Sequence, residues 1–147
     1  MISMALAVEL KAAGLVWRTK NYDFFAIPER GMDDRVFVLA DMVAYTELVQ
    51  GWPAVAFHGA AEWALDYIYS HEIVWLPTEE QLREELLAQW PERDGLGLRL
   101  ELDGGGGYRC CVTSGGREQL FQGPTAGEAY AHALLYALAQ YRLSNGV

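Results

Sequence analysis

The sequence predicts the α+β fold class, in which an antiparallel sheet, made of a hairpin and a C-terminal three-stranded meander, packs against several helices. Runs of aromatic and β-branched residues alternate with turn-forming segments, which is typical of antiparallel strands. Threonines followed three residues later by Gln or Glu open apolar segments with helical spacing. Because 147 residues can bury a substantial core, we expect a single domain spanning residues 1–147.

The N-terminal part predicts a helix followed by a hairpin. Apolar residues at helical spacing indicate a helix over residues 3–13, and Gly14 is a natural stop. Residues 21–27 and 35–40 are rich in aromatic and β-branched side chains, and the segment between them is rich in turn formers. We expect these two strands to pair.

The middle of the chain predicts two short helices. Asp41 is placed to cap a helix that runs to Val49, and a second helix is expected over residues 59–69. A short strand at residues 55–57, between the two helices, is the alternative.

The best-defined element is a helix that follows the apolar run at residues 73–76. Thr78 and Gln81 form a capping-box pattern at its start, and Pro91 marks its end. One face is apolar and is expected to join the core, with Leu82, Leu86, Leu87 and Trp90. The opposite face is acidic and is expected at the surface, with Glu79, Glu80 and Glu84.

The last third predicts the meander and a closing helix. Strands are expected at residues 96–102, 108–113 and 117–121, joined by glycine-containing turns. A second capping pattern, Thr125 with Glu128, opens an alanine-rich helix that is expected to run to about residue 142.

Two patterns could carry chemistry, and each has a structural explanation. The glycines at residues 104–107 could cradle a phosphate, but they join two expected strands and open no helix that starts with Lys and Ser or Thr. His58, His71 and His132 show no spacing typical of metal ligands. We therefore predict no metal, no cofactor and no enzymatic activity. The alternative is a small enzyme with a site around Cys110 and a histidine.

The negative charge of the chain argues against some classes of partner. Twenty acidic residues against eleven basic ones give a net charge of −9, and no Lys or Arg lies between Arg35 and Arg83. Such a surface repels nucleic-acid phosphate and anionic membranes, so we expect no direct binding to either. The longest uncharged stretch, residues 48–61, is too short to span a bilayer. The adjacent Cys110 and Cys111 cannot close an ordinary disulfide, which fits a reducing cytoplasm.

The aromatic residues include candidate interface anchors. The chain has five tryptophans and eight tyrosines, and most are expected in the core. Trp52 lies between Gly51 and Pro53 in a segment expected to be a loop, which makes it the candidate for an exposed anchor.

Two segments resemble small tailed-phage proteins. In residues 73–86 an apolar run ends in Trp-Leu-Pro and an acidic helix follows, and in residues 121–129 a strand leads into a Gly-Pro-Thr-Ala-Gly-Glu helix entry. Size, acidity and an Arg-rich, Lys-poor composition are similar to those of Thermus-phage transcription regulators, which bind the host RNA polymerase holoenzyme near the β-subunit flap and σ region 4. The resemblance implies inhibition of host promoter use, with phage promoters spared.

The predicted function is therefore that of a phage-encoded, non-enzymatic transcription regulator that binds host RNA polymerase in the cytoplasm of a thermophilic bacterium. Trp52, Glu79, Glu80 and Glu84 are the candidate protein-binding residues, because an acidic surface is steered toward the basic surface of a σ region that grips DNA. The alternatives are a non-enzymatic phage accessory protein and the small enzyme with a site around Cys110.

Overall fold

The computed structural model describes residues 1–28, 35–40, 44–57 and 67–146, and it confirms the α+β class. Within these residues three α-helices accompany three antiparallel sheets of three strands each. In chain order the elements are α1 (Met4–Ala12), β1 (Phe24–Ala26), β2 (Phe37–Val38), β3 (Ala44–Val49), β4 (Trp52–Phe57), β5 (Tyr67–Tyr69), a 3-10 turn (Ser70–Glu72), β6 (Val74–Leu76), α2 (Glu79–Gln89), β7 (Gly97–Leu102), β8 (Tyr108–Ser114), β9 (Arg117–Gly123) and α3 (Ala126–Ser144).

The chain divides into two compact units. The larger unit contains residues 1–15 and 77–147, and the smaller unit contains residues 16–76. The expectation of a single domain over residues 1–147 stays a prediction.

Each helix of the larger unit begins at a side chain that caps its N-terminus. The hydroxyls of Ser3, Thr78 and Thr125 each accept a hydrogen bond from the backbone N–H three residues further on. At α2 the backbone N–H of Thr78 also donates to Gln81 Oε1 at 3.0 Å, which completes the predicted capping box. At the other end of α1, Gly14 has a φ of 103°, a conformation that favours glycine and stops the helix as expected.

The predicted C-terminal meander and closing helix are confirmed. Strands pair in the order β7-β8-β9, and α3 packs over β8 and β9 while α1 and α2 pack against α3. The core of this unit is contributed by leucines of α2 and by leucines and alanines of α3, among them Leu82, Leu86, Ala133, Leu134 and Ala137. The meander is therefore covered by helices on one of its faces.

The smaller unit consists of two short sheets, with strand orders β2-β1-β6 and β3-β4-β5. The predicted hairpin of residues 21–27 and 35–40 is confirmed as the antiparallel pair β1 and β2, with shorter strands than expected. Its core is one apolar cluster, formed by Phe25, Ile27, Leu39, Val55, Ile68 and Ile73, against which Trp17 and Phe37 pack.

The two helices predicted in the middle of the chain are wrong where the structure describes them. Residues 44–49 form β3 and residues 67–69 form β5, while β4 includes the alternative strand at residues 55–57. Asp41 and residues 58–66 lie outside the described residues. The physical reason is the turn between β3 and β4, where Gln50 and Gly51 both have positive φ, at 52° and 83°. Two such residues make a tight hairpin turn, so Gly51 turns a strand back and does not end a helix.

Candidate functional site

The acidic face of α2, which we define as Glu79, Glu80 and Glu84, is exposed as predicted. The opposite side of the helix holds Leu82 and Leu86, both 0% exposed. This amphipathic division fixes which side of α2 faces solvent.

One basic side chain interrupts the acidic face. Arg83 Nη2 lies 3.9 Å from Glu80 Oε1, and both side chains are largely exposed. Such a pair contributes little to stability, so Glu80 remains free to interact with another molecule. Glu79 and Glu80 also lie in the first turn, where a negative charge stabilises the positive end of the helix dipole. Glu84 lies beyond that turn, so the dipole does not account for its presence.

Trp52 is exposed over 66% of its surface. The prediction that it lies in a loop is wrong, because Trp52 is the first residue of β4 and pairs across the hairpin with Val49. Leu48, which pairs with Pro53 and therefore lies on the opposite face of the hairpin, is 72% exposed. We call Leu48, Gln50, Gly51 and Trp52 the hairpin tip. The tight turn therefore displays two large apolar side chains where a loop was expected.

The four predicted binding residues belong to different units. Trp52 lies in the smaller unit, whereas Glu79, Glu80 and Glu84 lie in the larger unit. Within the larger unit the three carboxylates form one candidate surface, and within the smaller unit Trp52 forms another.

The two cysteines have neighbouring positions in β8 and are both buried free thiols. Cys110 is opposite Phe121 in the sheet register, on the face that packs against α3, and burial raises the pKa of its thiol to about 12. Cys111 is on the other face, and burial also raises the pKa of its thiol. A thiol with a raised pKa is a poor nucleophile at neutral pH because little thiolate forms.

Charged side chains of β7, β8 and β9 act on the Cys111 thiol. Glu101 and Glu118 raise its pKa while Arg99 and Arg109 lower it, in addition to the larger effect of burial. Of the candidate histidines, His132 is exposed on α3, His71 stacks on Tyr69 in the smaller unit, and His58 lies outside the described residues. Among the residues that the structure describes, no group of three His, Cys, Asp or Glu side chains could hold a metal ion.

The glycines at residues 104–107 form the turn between β7 and β8, as expected. The backbone N–H of Asp103 donates to the carbonyl of Gly107 at 2.8 Å. The Asp103 carboxylate accepts a hydrogen bond from the Gly105 N–H at 2.6 Å. In this turn the Asp103 carboxylate occupies the Gly105 N–H, whereas a phosphate loop leaves its backbone N–H groups free to bind an anion.

A pocket of about 310 Å³ near the C-terminal end of α2 was not predicted from the sequence. Its lining includes aromatic, charged and amide side chains, among them Trp90, Glu92, Arg117, Gln119, Tyr136 and Gln140. The buried indole of Trp90 donates to Ser114 Oγ at 2.8 Å and lies 5.4 Å from the Tyr136 ring. The volume is at the lower limit of small-molecule sites, and the mixed charges favour no one ligand.

Comparison with known proteins found no matching family model, no matching curated protein and no matching solved structure. Within the part of the chain that the structure describes, the helices are too short or too polar to cross a membrane.

Proposed function

We propose that the protein is a phage-encoded, non-enzymatic regulator that binds host RNA polymerase holoenzyme through the acidic face of α2. The proposed docking surface is basic and lies at or near σ region 4 and the β flap. Occupying that surface inhibits host promoter use in the cytoplasm of the infected cell.

The observation that supports this proposal best is the one-sided exposure of α2. Its apolar residues Leu82 and Leu86 are committed to the core, while Glu79, Glu80 and Glu84 face solvent. A σ region that holds promoter DNA presents basic groups to phosphates, and carboxylates on a rigid helix can meet the same groups. The net charge of −9 adds long-range attraction to a basic partner and repulsion from DNA.

The hairpin tip supports protein binding by a different route. Trp52 and Leu48 expose apolar surface at a tight turn, and aromatic side chains are frequent anchors of protein interfaces. We assign the tip a contribution to affinity and the acidic face a contribution to the rate of association.

The cysteine environment supports a non-enzymatic role. A site around Cys110 would need an accessible thiolate, whereas this thiol is fully buried and its pKa is raised to about 12. The remaining alternative is a phage accessory protein that uses the same surfaces on a different partner.

The proposal is tested by titrating the labelled protein with three purified forms of Thermus RNA polymerase. These are the core enzyme, the holoenzyme, and a holoenzyme whose σ factor lacks region 4. We expect saturable binding to the complete holoenzyme, with binding to the other two forms at least tenfold weaker. Equal affinity for all three forms contradicts the assignment to σ region 4, and binding to none contradicts the polymerase proposal.

A further inference from the structure

We propose that a second copy of this chain pairs with the free edge of β7, so that two meanders join into one continuous antiparallel sheet. This pairing does not depend on the proposed function, because it involves a different surface of the larger unit. It assigns the edge of the meander as a self-association surface.

The first line of support is the position of β7 in the fold. β7 is an edge strand that pairs with β8 in an unbroken register from Gly97 to Leu102. It contains no proline and no bulge, which are two of the devices that protect a sheet edge, and its two charged residues, Arg99 and Glu101, carry opposite signs. α3 packs over β8 and β9, and Leu102 on β7 is 72% exposed. Among the described residues of the larger unit, no strand pairs with the outer edge of β7, so that edge can serve as a template for another strand.

The second line of support is the direction of the backbone groups. Asp103 and Gly107 form a hydrogen-bonded pair at the end of the hairpin, through the 2.8 Å bond from the Asp103 N–H. Bonded and non-bonded pairs alternate along antiparallel strands. Arg99 and Glu101 therefore bond to β8, whereas the leucines between and beside them direct N–H and C=O groups outward. These leucines are Leu98, Leu100 and Leu102.

The outward groups define a self-complementary register. When Leu100 lies opposite the partner's Leu100, Leu98 lies opposite the partner's Leu102, and all outward groups of these leucines find partners. Arg99 then lies opposite the partner's Glu101 on the other face of the sheet. These two side chains occupy a non-bonded pair, where strands bring side chains closest. Backbone, apolar and ionic contacts thus agree on one register.

Neighbouring registers are disfavoured by charge. A shift by two residues in one direction places Arg99 against the partner's Arg99, and in the other direction it places Glu101 against the partner's Glu101. A shift by one residue places each leucine whose N–H and C=O point outward opposite a residue of the second copy whose N–H and C=O point toward its own β8. Such a pair forms no hydrogen bond. Arg99 and Glu101 therefore favour one register of the pairing over the neighbouring registers.

The opposite edge of the meander lacks this complementarity. By the same alternation, β9 directs outward the backbone groups of Glu118, Leu120 and Gln122. Self-pairing centred on Leu120 places Glu118 against the partner's Gln122, which forms no ion pair. β7 is therefore the edge that we assign to the second copy.

The existing ion pairs need not be lost when the new ones form. Arg99 Nε lies 2.6 Å from Glu101 Oε1 and its Nη2 lies 3.2 Å from Glu118 Oε1, while Arg109 Nη1 lies 3.6 Å from Glu101 Oε2, in a solvent-accessible cluster. Exposed pairs of this kind contribute little to stability, so their partial replacement across the dimer requires little free energy.

A charge swap tests the pairing by sedimentation equilibrium over a range of protein concentrations. The dimer contains the pair of Arg99 with the partner's Glu101 twice. Arg99→Glu alone, or Glu101→Arg alone, turns both oppositely charged pairs into like-charged pairs, and we expect each variant to weaken self-association about tenfold or more. An equimolar mixture of these two variants restores opposite charges across the interface and is expected to form heterodimers. The double variant R99E/E101R is expected to recover the homodimer.

A proline variant tests the backbone bonds. Leu100→Pro removes the central outward N–H without removing a bond to β8, so it is expected to abolish the dimer while the unit stays folded by circular dichroism. Leu120→Pro, which removes an outward N–H on β9, is the matched control and is expected to leave the dimer intact. A monomer at every concentration overturns the proposal. A dimer that is unchanged by R99E and by Leu100→Pro also overturns it.

Discussion

The two units differ in what holds them together. In the larger unit, a helix of nineteen residues lies across two strands of seven residues each, and its N-terminus is fixed by a side-chain cap. In the smaller unit, strands of two to six residues surround one apolar cluster. The acidic face of α2 and the edge of β7 therefore belong to a frame fixed by helix packing. The hairpin tip belongs to a unit in which a two-residue turn sets the geometry.

Two tryptophans give the largest expected contrast between the units. Trp90 in the larger unit is buried, and its ring lies 5.4 Å from Tyr136 and 6.2 Å from Phe121. Trp90→Ala is expected to lower the free energy of unfolding by about 3–5 kcal/mol, because it leaves a cavity and removes the partner of Ser114. Trp52→Ala, at an exposed site, is expected to change it by less than about 0.5 kcal/mol. Urea denaturation of both variants measures the difference, and equal losses contradict the assignment of burial.

The buried thiol makes the stability of the larger unit depend on alkaline pH. Burial raises the pKa of Cys110 from 9.0 to about 12, so the native state holds this proton over a range in which the unfolded state releases it. Stability from the neutral thiol is intact below pH 9 and falls above it, by at most about 1.4 kcal/mol per pH unit. Denaturation of wild type and Cys110→Ala at pH 8 and pH 10 is expected to show a smaller loss in the variant. Parallel losses in both proteins contradict the prediction.

The turn of the smaller unit gives a smaller effect. Gly51 has a φ of 83°, and nothing in its surroundings occupies the space of a Cβ atom. Gly51→Ala is therefore expected to destabilise the protein by about 1 kcal/mol through backbone strain alone. Gly104→Ala is the matched control, because Gly104 also has open space but no positive φ, and it is expected to be nearly neutral. A Gly51→Ala protein as stable as wild type argues against the tight turn.

Local rules predicted the larger unit well and the smaller unit less well. The capping box of Thr78 and Gln81 and the alternation in the meander depend on residues close in the sequence, so helix starts and strands were predicted correctly. The β3–β4 hairpin was missed because Gln50-Gly51 is not one of the common turn sequences. A glycine with a proline two residues later, as in Gly51 and Pro53, is also typical of a helix end.

The candidate surfaces were predicted only in part. Exposure of Glu79, Glu80 and Glu84 followed from the helical period of the buried leucines. The pocket beside Trp90 and the free edge of β7 depend on which elements become neighbours in space, and no local pattern carries that information. Which strand lies at the edge of a sheet is decided by the strand order, and the residues of that strand alone do not show it.

The central claim, recognition of a basic partner by the acidic face of α2, is tested most directly by association kinetics with the Thermus holoenzyme. The variant E80K/E84K changes two exposed carboxylates of that face. Because Glu80 lies in the first turn of α2, reversing its charge is expected to lower the free energy of unfolding by about 1 kcal/mol, which leaves the protein folded. The variant E9K/D94K makes the same change in net charge at exposed sites outside α2 and serves as the control. Stopped-flow measurements over a series of salt concentrations give the on-rate and the off-rate.

We expect the on-rate of wild type to fall as salt is added while the off-rate changes less. At low salt, E80K/E84K is expected to associate severalfold more slowly than E9K/D94K. Equal on-rates for wild type and both variants, unchanged by salt, would remove the acidic face of α2 from the interface and leave the hairpin tip with Trp52 as the remaining candidate.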